Sequence, residues 1–333
     1  MNSIRIINFL LVFLLMLFLG CASNPNKDIS VSEMKRLEEN KTRIEAFFPV
    51  LAKQCKPLIN KNLEINRIPI RELSFKDAKK LMEAQVFMAD EQYEESIAIL
   101  TAMESKANDN YTKAVLNRNL GYAYAQSDHM NDALVSFNKA LTYGQNNLPH
   151  EILQTLRENV AGLLYSNDNK NKAVFIMEEW LKNSNKDVAS AYYMLAAMYA
   201  DKEIDRIKDA LCPAYFAVTS SEEPKESYYV LLNLIQYELQ DYMGSVNTLE
   251  VMIKHFPEEV KYKRYLAYVY EKLAKNDRAF EILSALHAHG ELETRKAYET
   301  LAKLYKKKND LVNEKKILNE AKAKGLLDDK KKK

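Results

Sequence analysis

Between Asp77 and Asp329 the chain repeats one two-helix pattern seven times, and the second copy shows it most plainly: Leu120, Gly121, Tyr124, Ala133, Phe137 and Ala140. A small residue on the first helix of each pair lets the second helix approach closely. These residues are Ala84, Gly121, Ala161, Ala196, Asn233, Ala267 and Ala302, at intervals of 37, 40, 35, 37, 34 and 35 residues. The second helix answers with Ser96, Ala133, Ala173, Ala210, Ser245 and Ala279, while Glu314 departs from the rule in the last copy. Phe87, Tyr124, Leu164, Tyr199, Tyr270 and Tyr305 fill the remaining gap. With helical periodicity throughout and only 7 Gly and 8 Pro in 333 residues, the fold class is all-α. One hairpin cannot bury both its faces, so the copies must stack.

The spacing resembles the tetratricopeptide (TPR) repeat, whose unit is about 34 residues. The resemblance implies a TPR-type helical-hairpin solenoid, a superhelix with an inner groove. The match is good in the second, sixth and seventh repeats. Asn233 occupies the small position of the fifth, Met177 and Trp180 are unusual in the third, and Pro213 must bend or start the second helix of the fourth. First-helix residues that turn away from the second helix would line such a groove. They nominate Arg118, Tyr122, Tyr165, Tyr193, Leu234, Tyr237, Arg264 and Tyr268 as a partner-binding groove. Tyr and Arg are enriched where binding energy concentrates; packing between repeats is the other use of such tyrosines. Lys303, Lys306 and Lys307 would make the exit of the groove basic.

The N-terminus reads as a signal peptide over residues 1–20. Arg5 precedes Ile6 to Leu19, which is apolar except for Asn8. Fourteen helical residues span about 21 Å, short of the roughly 30 Å hydrocarbon core, which favours a secretory signal over a permanent span. Leu17-Phe18-Leu19-Gly20-Cys21 resembles a bacterial lipobox. That resemblance implies lipidation of Cys21, and Ala22 in place of an Asp leans towards the outer membrane. Residues 21–32 serve as attachment and polar tether. Residues 33–74 are expected to form an N-terminal helical cap over the first repeat, with a helix from Glu33 to Phe47 ended by Pro49 and interruptions at Pro57 and Pro69. Ser74 is placed to cap the helix that follows. Residues 330–333 are a basic tail.

A net charge of +2 provides no global field towards nucleic acid. The lysines gather near the C-terminus, at 306–308, 315, 316, 322, 324 and 330–333. Solvation and helix-end stabilisation explain such a run; contact with anionic lipid or an acidic partner is the other use. No phosphate loop, dinucleotide fingerprint, zinc-protease motif or nucleophile elbow is present. His287 and His289, two apart, face different sides of a helix. The expectation is therefore a protein that is not an enzyme, without cofactor, metal or small-molecule substrate. Cys55 and Cys212 are 157 residues apart, and an oxidising compartment would allow them to pair. Spacing alone leaves a bridge and two free buried thiols equally open.

A narrower likeness covers roughly 226 to 327. It rests on Tyr228-Tyr229, Leu232, Tyr237, Leu249, Phe256-Pro257, Tyr262, Leu266-Ala267, Tyr270, Ala279, Leu283 to Leu286, Tyr298, Leu301-Ala302, Leu304-Tyr305 and the loop Leu286-His287-Ala288-His289-Gly290-Glu291-Leu292. This resembles the TPR component associated with TonB-type energy-transduction systems, and implies a periplasmic adaptor beside an energy-coupled outer-membrane transporter. The lipid anchor departs from that group, in which a soluble periplasmic form is expected. The expected function is thus a lipid-anchored adaptor or scaffold that faces the periplasm and holds a protein partner in its groove. A pilotin-like or outer-membrane-assembly accessory lipoprotein is the alternative.

Overall fold

The computed structural model describes residues 39, 42, 44–65, 68, 71–185 and 188–327. The signal segment, Cys21, the tether, most of the expected Glu33–Phe47 helix and the basic tail lie outside the described residues. Among the described residues there are fifteen helices and no strand. A short helix, α1 (Pro49–Gln54), precedes the hairpins. The first three hairpins are α2 (Phe75–Ala89) with α3 (Tyr93–Glu104), α4 (Asn110–Gln126) with α5 (Met130–Gly144), and α6 (His150–Ser166) with α7 (Lys170–Lys182). α8 (Ala189–Tyr199) and α9 (Ile207–Thr219) occupy the position of the fourth repeat. The last three are α10 (Glu226–Glu238) with α11 (Tyr242–His255), α12 (Val260–Lys272) with α13 (Asn276–Ala288), and α14 (Arg295–Lys307) with α15 (Leu311–Ala323). This is the TPR-type hairpin stack that the spacing implies. No described helix is long and apolar enough to cross a membrane.

The chain forms two compact units, one running from Pro57 to Met198 and the other combining Lys35–Lys56 with Tyr199–Lys333. The division falls inside the fourth repeat. In the first unit, Ala84, Leu100, Leu116, Leu120 and Ala123 share one core. Gly121 explains how close the helices lie: a Cβ there would meet the Phe137 ring at 2.5 Å, and that ring is fully buried. Ser74 caps α2 as expected, its hydroxyl accepting from the Asp77 amide at 3.1 Å. The segment after Pro57 is irregular and is held by backbone bonds, with the Asn60 amide donating to the Ser184 carbonyl at 2.9 Å.

In the second unit, α12 to α15 share a core that includes Leu283, Leu286, Tyr298, Leu301 and Ile317. Cys55, just after α1, is disulfide-bonded to Cys212 on α9, with Cα atoms 5.3 Å apart. Phe48 stacks edge-on against Tyr215 at 6.3 Å, and Lys254 lies over Phe47 at 5.4 Å. The 33–74 segment expected to cap the first repeat divides after Lys56. The described part of that segment up to Lys56 packs with α9 and α11, because the bridge and its aromatic neighbours hold it there. The flank of α2 keeps Phe75, Met82 and Val86 at 88%, 66% and 59% exposure. Pro213 does not start α9 but lies buried within it, where the carbonyl four residues back receives no proline N–H.

The turn inside each hairpin has a common backbone. Glu91, Asp128, Asp168, Asp205, Gln240, Ala274 and Asn309 take φ of 61°, 65°, 62°, 52°, 59°, 57° and 60°. In six of the seven, the next amide reaches back to the carbonyl five residues earlier, as from His129 to Tyr124 at 2.8 Å and from Lys275 to Tyr270 at 2.9 Å. That left-handed residue with its long return bond is the Schellman stop, which satisfies the carbonyls of the first helix and reverses the chain.

Candidate functional site

The first helices of each unit carry the candidate surface. In the first unit, Arg118, Tyr122, Tyr165 and Tyr193 are all partly buried. Tyr122 lies edge-on to Phe137 at 5.1 Å, and its hydroxyl accepts from Asn159 Nδ2 at 3.2 Å, so it braces α4 against α6. The Arg118 Nε is buried with no hydrogen-bond partner. Lys170 sits over the Tyr165 ring at 5.6 Å, at the turn that ends α6. The position three before the small residue, which holds Arg118 and Tyr193, holds Glu158 in the third repeat. Burial raises the Glu158 carboxyl pKa, opposed by a hydrogen bond from Ser190. A nearby pair, Gln85 and Asn119, is joined at 3.1 Å.

In the second unit, Leu234 and Tyr237 are partly exposed on α10, and Tyr237 stacks edge-on with Tyr242 at 5.5 Å. Arg264 and Tyr268 are engaged between hairpins. Arg264 Nη1 donates to the Glu291 carbonyl at 3.0 Å and to Glu293 Oε2 at 2.9 Å. The Tyr268 ring is 9% exposed, its hydroxyl pairs with Thr294 Oγ1 at 3.3 Å, and Lys296 covers its face at 4.3 Å. Burial raises its pKa. The loop singled out for its Gly290-Glu291-Leu292 sequence is thus the acceptor for Arg264. The more accessible neighbours are Val230 and Tyr265, at 44% and 46% exposure. Val230 lies three before Asn233, and its aliphatic side chain carries no signal of a contact residue in the sequence. Lys303 pairs with Glu271, and Lys307 donates to Asn276 at 2.9 Å.

None of these groups assembles into a reaction centre. Among the described residues no cluster of His, Cys, Asp or Glu has the geometry to hold a metal. His287 Nε2 contacts Glu320 Oε2 at 2.7 Å, Tyr298 donates to Glu320 Oε1 at 2.8 Å, and Lys324 donates to the Tyr298 hydroxyl at 2.7 Å. The network ties α13, α14 and α15 together.

No protein-family model matches this chain, and no curated protein is similar to it. Among solved structures it is similar to a tetratricopeptide repeat protein from Parabacteroides merdae, at 18% identity over 76% of this chain and 94% of that one, with a TM-score of 0.49. It is also similar to pilF of Pseudomonas aeruginosa, at 14% identity over 64% and 92% with a TM-score of 0.45. A third is YrrB, described as a TPR protein with an unusual peptide-binding site, at 15% identity over 51% and 83% with a TM-score of 0.43. Likenesses this distant carry no functional argument; the repeat assignment rests on the hairpins, their small-residue crossings and their turns.

Proposed function

We propose that the chain is a non-enzymatic adaptor that holds a partner polypeptide against its first helices, anchored through Cys21 and facing the periplasm. One observation carries the binding role. The packing positions repeat from hairpin to hairpin, whereas the position three before each small residue does not: it runs Leu81, Arg118, Glu158, Tyr193, Val230, Arg264, Glu299. All seven side chains keep some solvent exposure. Scaffold residues repeat because the geometry repeats; a varied series beside them suits readout of a varied polypeptide.

The Cys55–Cys212 bridge supports a compartment outside the reducing cytosol, in keeping with the signal and lipobox patterns. TonB-dependent uptake at the outer membrane is the setting implied by the likeness over residues 226–327. Recruitment would be the mechanism, since tethering raises the partner's effective concentration at the bilayer. Val230→Glu tests this, because a residue 44% exposed accepts a charge without unfolding α10. Partner recovery after affinity purification should fall at least about tenfold, with helicity unchanged. The matched control is Phe175→Glu on the second helix α7, also exposed. Equal loss from both variants, or from neither, would remove the first-helix face from the account.

A further inference from the structure

The position three before each small residue carries four charged side chains, and they fall into two kinds. Arg264 and Glu299 are compensated: Arg264 pairs with Glu293 at 2.9 Å, and Glu299 accepts from Arg295 Nε at 2.8 Å. Arg118 on α4 and Glu158 on α6 are not. Arg118 has no hydrogen bond or ion pair among the described residues, and its Nε is buried. Asp109, which precedes α4, is committed to capping that helix through the Thr112 amide at 3.0 Å. Glu158 has a hydrogen bond from Ser190 but no cation paired with it among the described residues, and burial raises its pKa. A charge taken partly out of water without a counter-charge is costly, and apolar side chains would pack at both places at lower cost.

We infer that Arg118 and Glu158 together read a dipolar stretch of the partner polypeptide, Arg118 taking an acidic side chain and Glu158 a basic one. The inference rests on the polypeptide-binding reading of the first-helix face and names the chemistry that face selects. Both residues lie in the first unit, at the same position of consecutive first helices. Those helices touch beside them: Asn159, next to Glu158, donates to the hydroxyl of Tyr122, one turn after Arg118, at 3.2 Å. Packed helices stand about 8–10 Å apart, which sets the order of the separation between the two charges. A polyproline II segment repeats its face every third residue, a rise of roughly 9 Å. An acidic and a basic residue three apart in such a segment therefore meet both charges. The opposite signs argue against other occupants. A polyanion such as nucleic acid would be repelled at Glu158, and a peptide of one sign satisfies one residue and opposes the other. A guanidinium also takes a carboxylate bidentately, so each contact compensates a charge that the unbound chain leaves unmatched.

The test is panning of a phage library of random decapeptides on the full chain and on its Arg118→Met and Glu158→Gln variants. The unsubstituted chain should enrich peptides with Asp or Glu three residues from Lys or Arg, in one order along the peptide, at least about tenfold over the unselected library. Arg118→Met should lose the acidic preference and keep the basic one, and Glu158→Gln should do the reverse. The thermal midpoint of Arg118→Met should equal or exceed that of the unsubstituted chain, because an apolar side chain replaces an unmatched charge. A lower midpoint would mark Arg118 as a structural residue and count against the inference. Exchanging the charges, Arg118→Glu with Glu158→Arg, should reverse the order of acid and base in the selected peptides while helicity is preserved. Enriched peptides without the charged pair, or with the pair retained by both single variants, would overturn the inference and leave the adaptor reading standing. No enriched peptide from any of these proteins would overturn both.

Discussion

At the scale of single residues, space and hydrogen bonding decide which positions tolerate change. Gly121 has no room for a methyl group, and Phe137 cannot move because it is fully buried. Gly121→Leu should therefore cost about 1–3 kcal/mol or more, read as a lower denaturant midpoint with preserved far-UV helicity. That crossing was legible in the sequence, because Gly121 and Phe137 stand at pattern positions. The fifth repeat was not legible in the same way. Asn233 reads there as a defect, yet Ser245 donates to its Oδ1 at 2.6 Å and Thr248 donates to Gln236 Oε1 at 2.6 Å. Ser245, Thr248 and Gln236 are fully buried, so the small-against-small contact has become a polar seam. Thr248→Val keeps the shape but strands the Gln236 oxygen, and should cost about 1–3 kcal/mol in equilibrium unfolding. Trp180 is a further case: its indole donates to the Gln154 carbonyl at 2.7 Å, and Gln154 Nε2 returns a bond to the Trp180 carbonyl at 3.1 Å. An alignment of packing types cannot anticipate a bond that only a larger residue can reach.

At the scale of the helical element, the reversals carry the strain. A residue with a Cβ in the left-handed region costs on the order of 1 kcal/mol or more. Asp and Asn offset part of that cost with local hydrogen bonds; Ala274 has no side chain with which to do so. Ala274→Gly should therefore stabilise the protein by up to about 1 kcal/mol, raising the thermal midpoint, with a smaller gain for Asp128→Gly. Helix count and hairpin pairing were legible because the apolar period runs strongly on both sides of each turn. The turns themselves were weakly marked, since no glycine occupies any of the seven left-handed positions. The residues nominated for a groove are marked in the sequence only as one helix face. Arg264 and Tyr268 share that face but are drawn into the next hairpin by Glu291, Glu293 and Thr294, contacts that lie 26 to 29 residues away in sequence.

At the scale of the whole molecule, two devices order the second unit. The Cys55–Cys212 bridge closes a separation of 157 residues, which helical periodicity has no means to report. Reduction, or Cys55→Ser with Cys212→Ser, should destabilise that unit by about 3–5 kcal/mol, seen as a lower melting transition in reducing buffer. The second device is Glu320, whose hydrogen bond to His287, aided by Tyr298 and Lys324, holds its pKa down at about 2 against an ordinary 4.5. A depressed carboxylate stabilises the fold above pH 4.5, and that contribution is lost as pH falls towards 2. Glu320→Gln should lower stability at neutral pH and flatten its dependence across this window, as followed by acid titration of helicity. The central claim is that a polypeptide rests on the first-helix face of the stacked hairpins. Photocrosslinking in intact cells, from a reactive residue placed at Val230 or at Phe175, measures it most directly. A discrete protein adduct from position 230 and none from 175 is the expected result; no adduct from 230, or the same adducts from both, would contradict it.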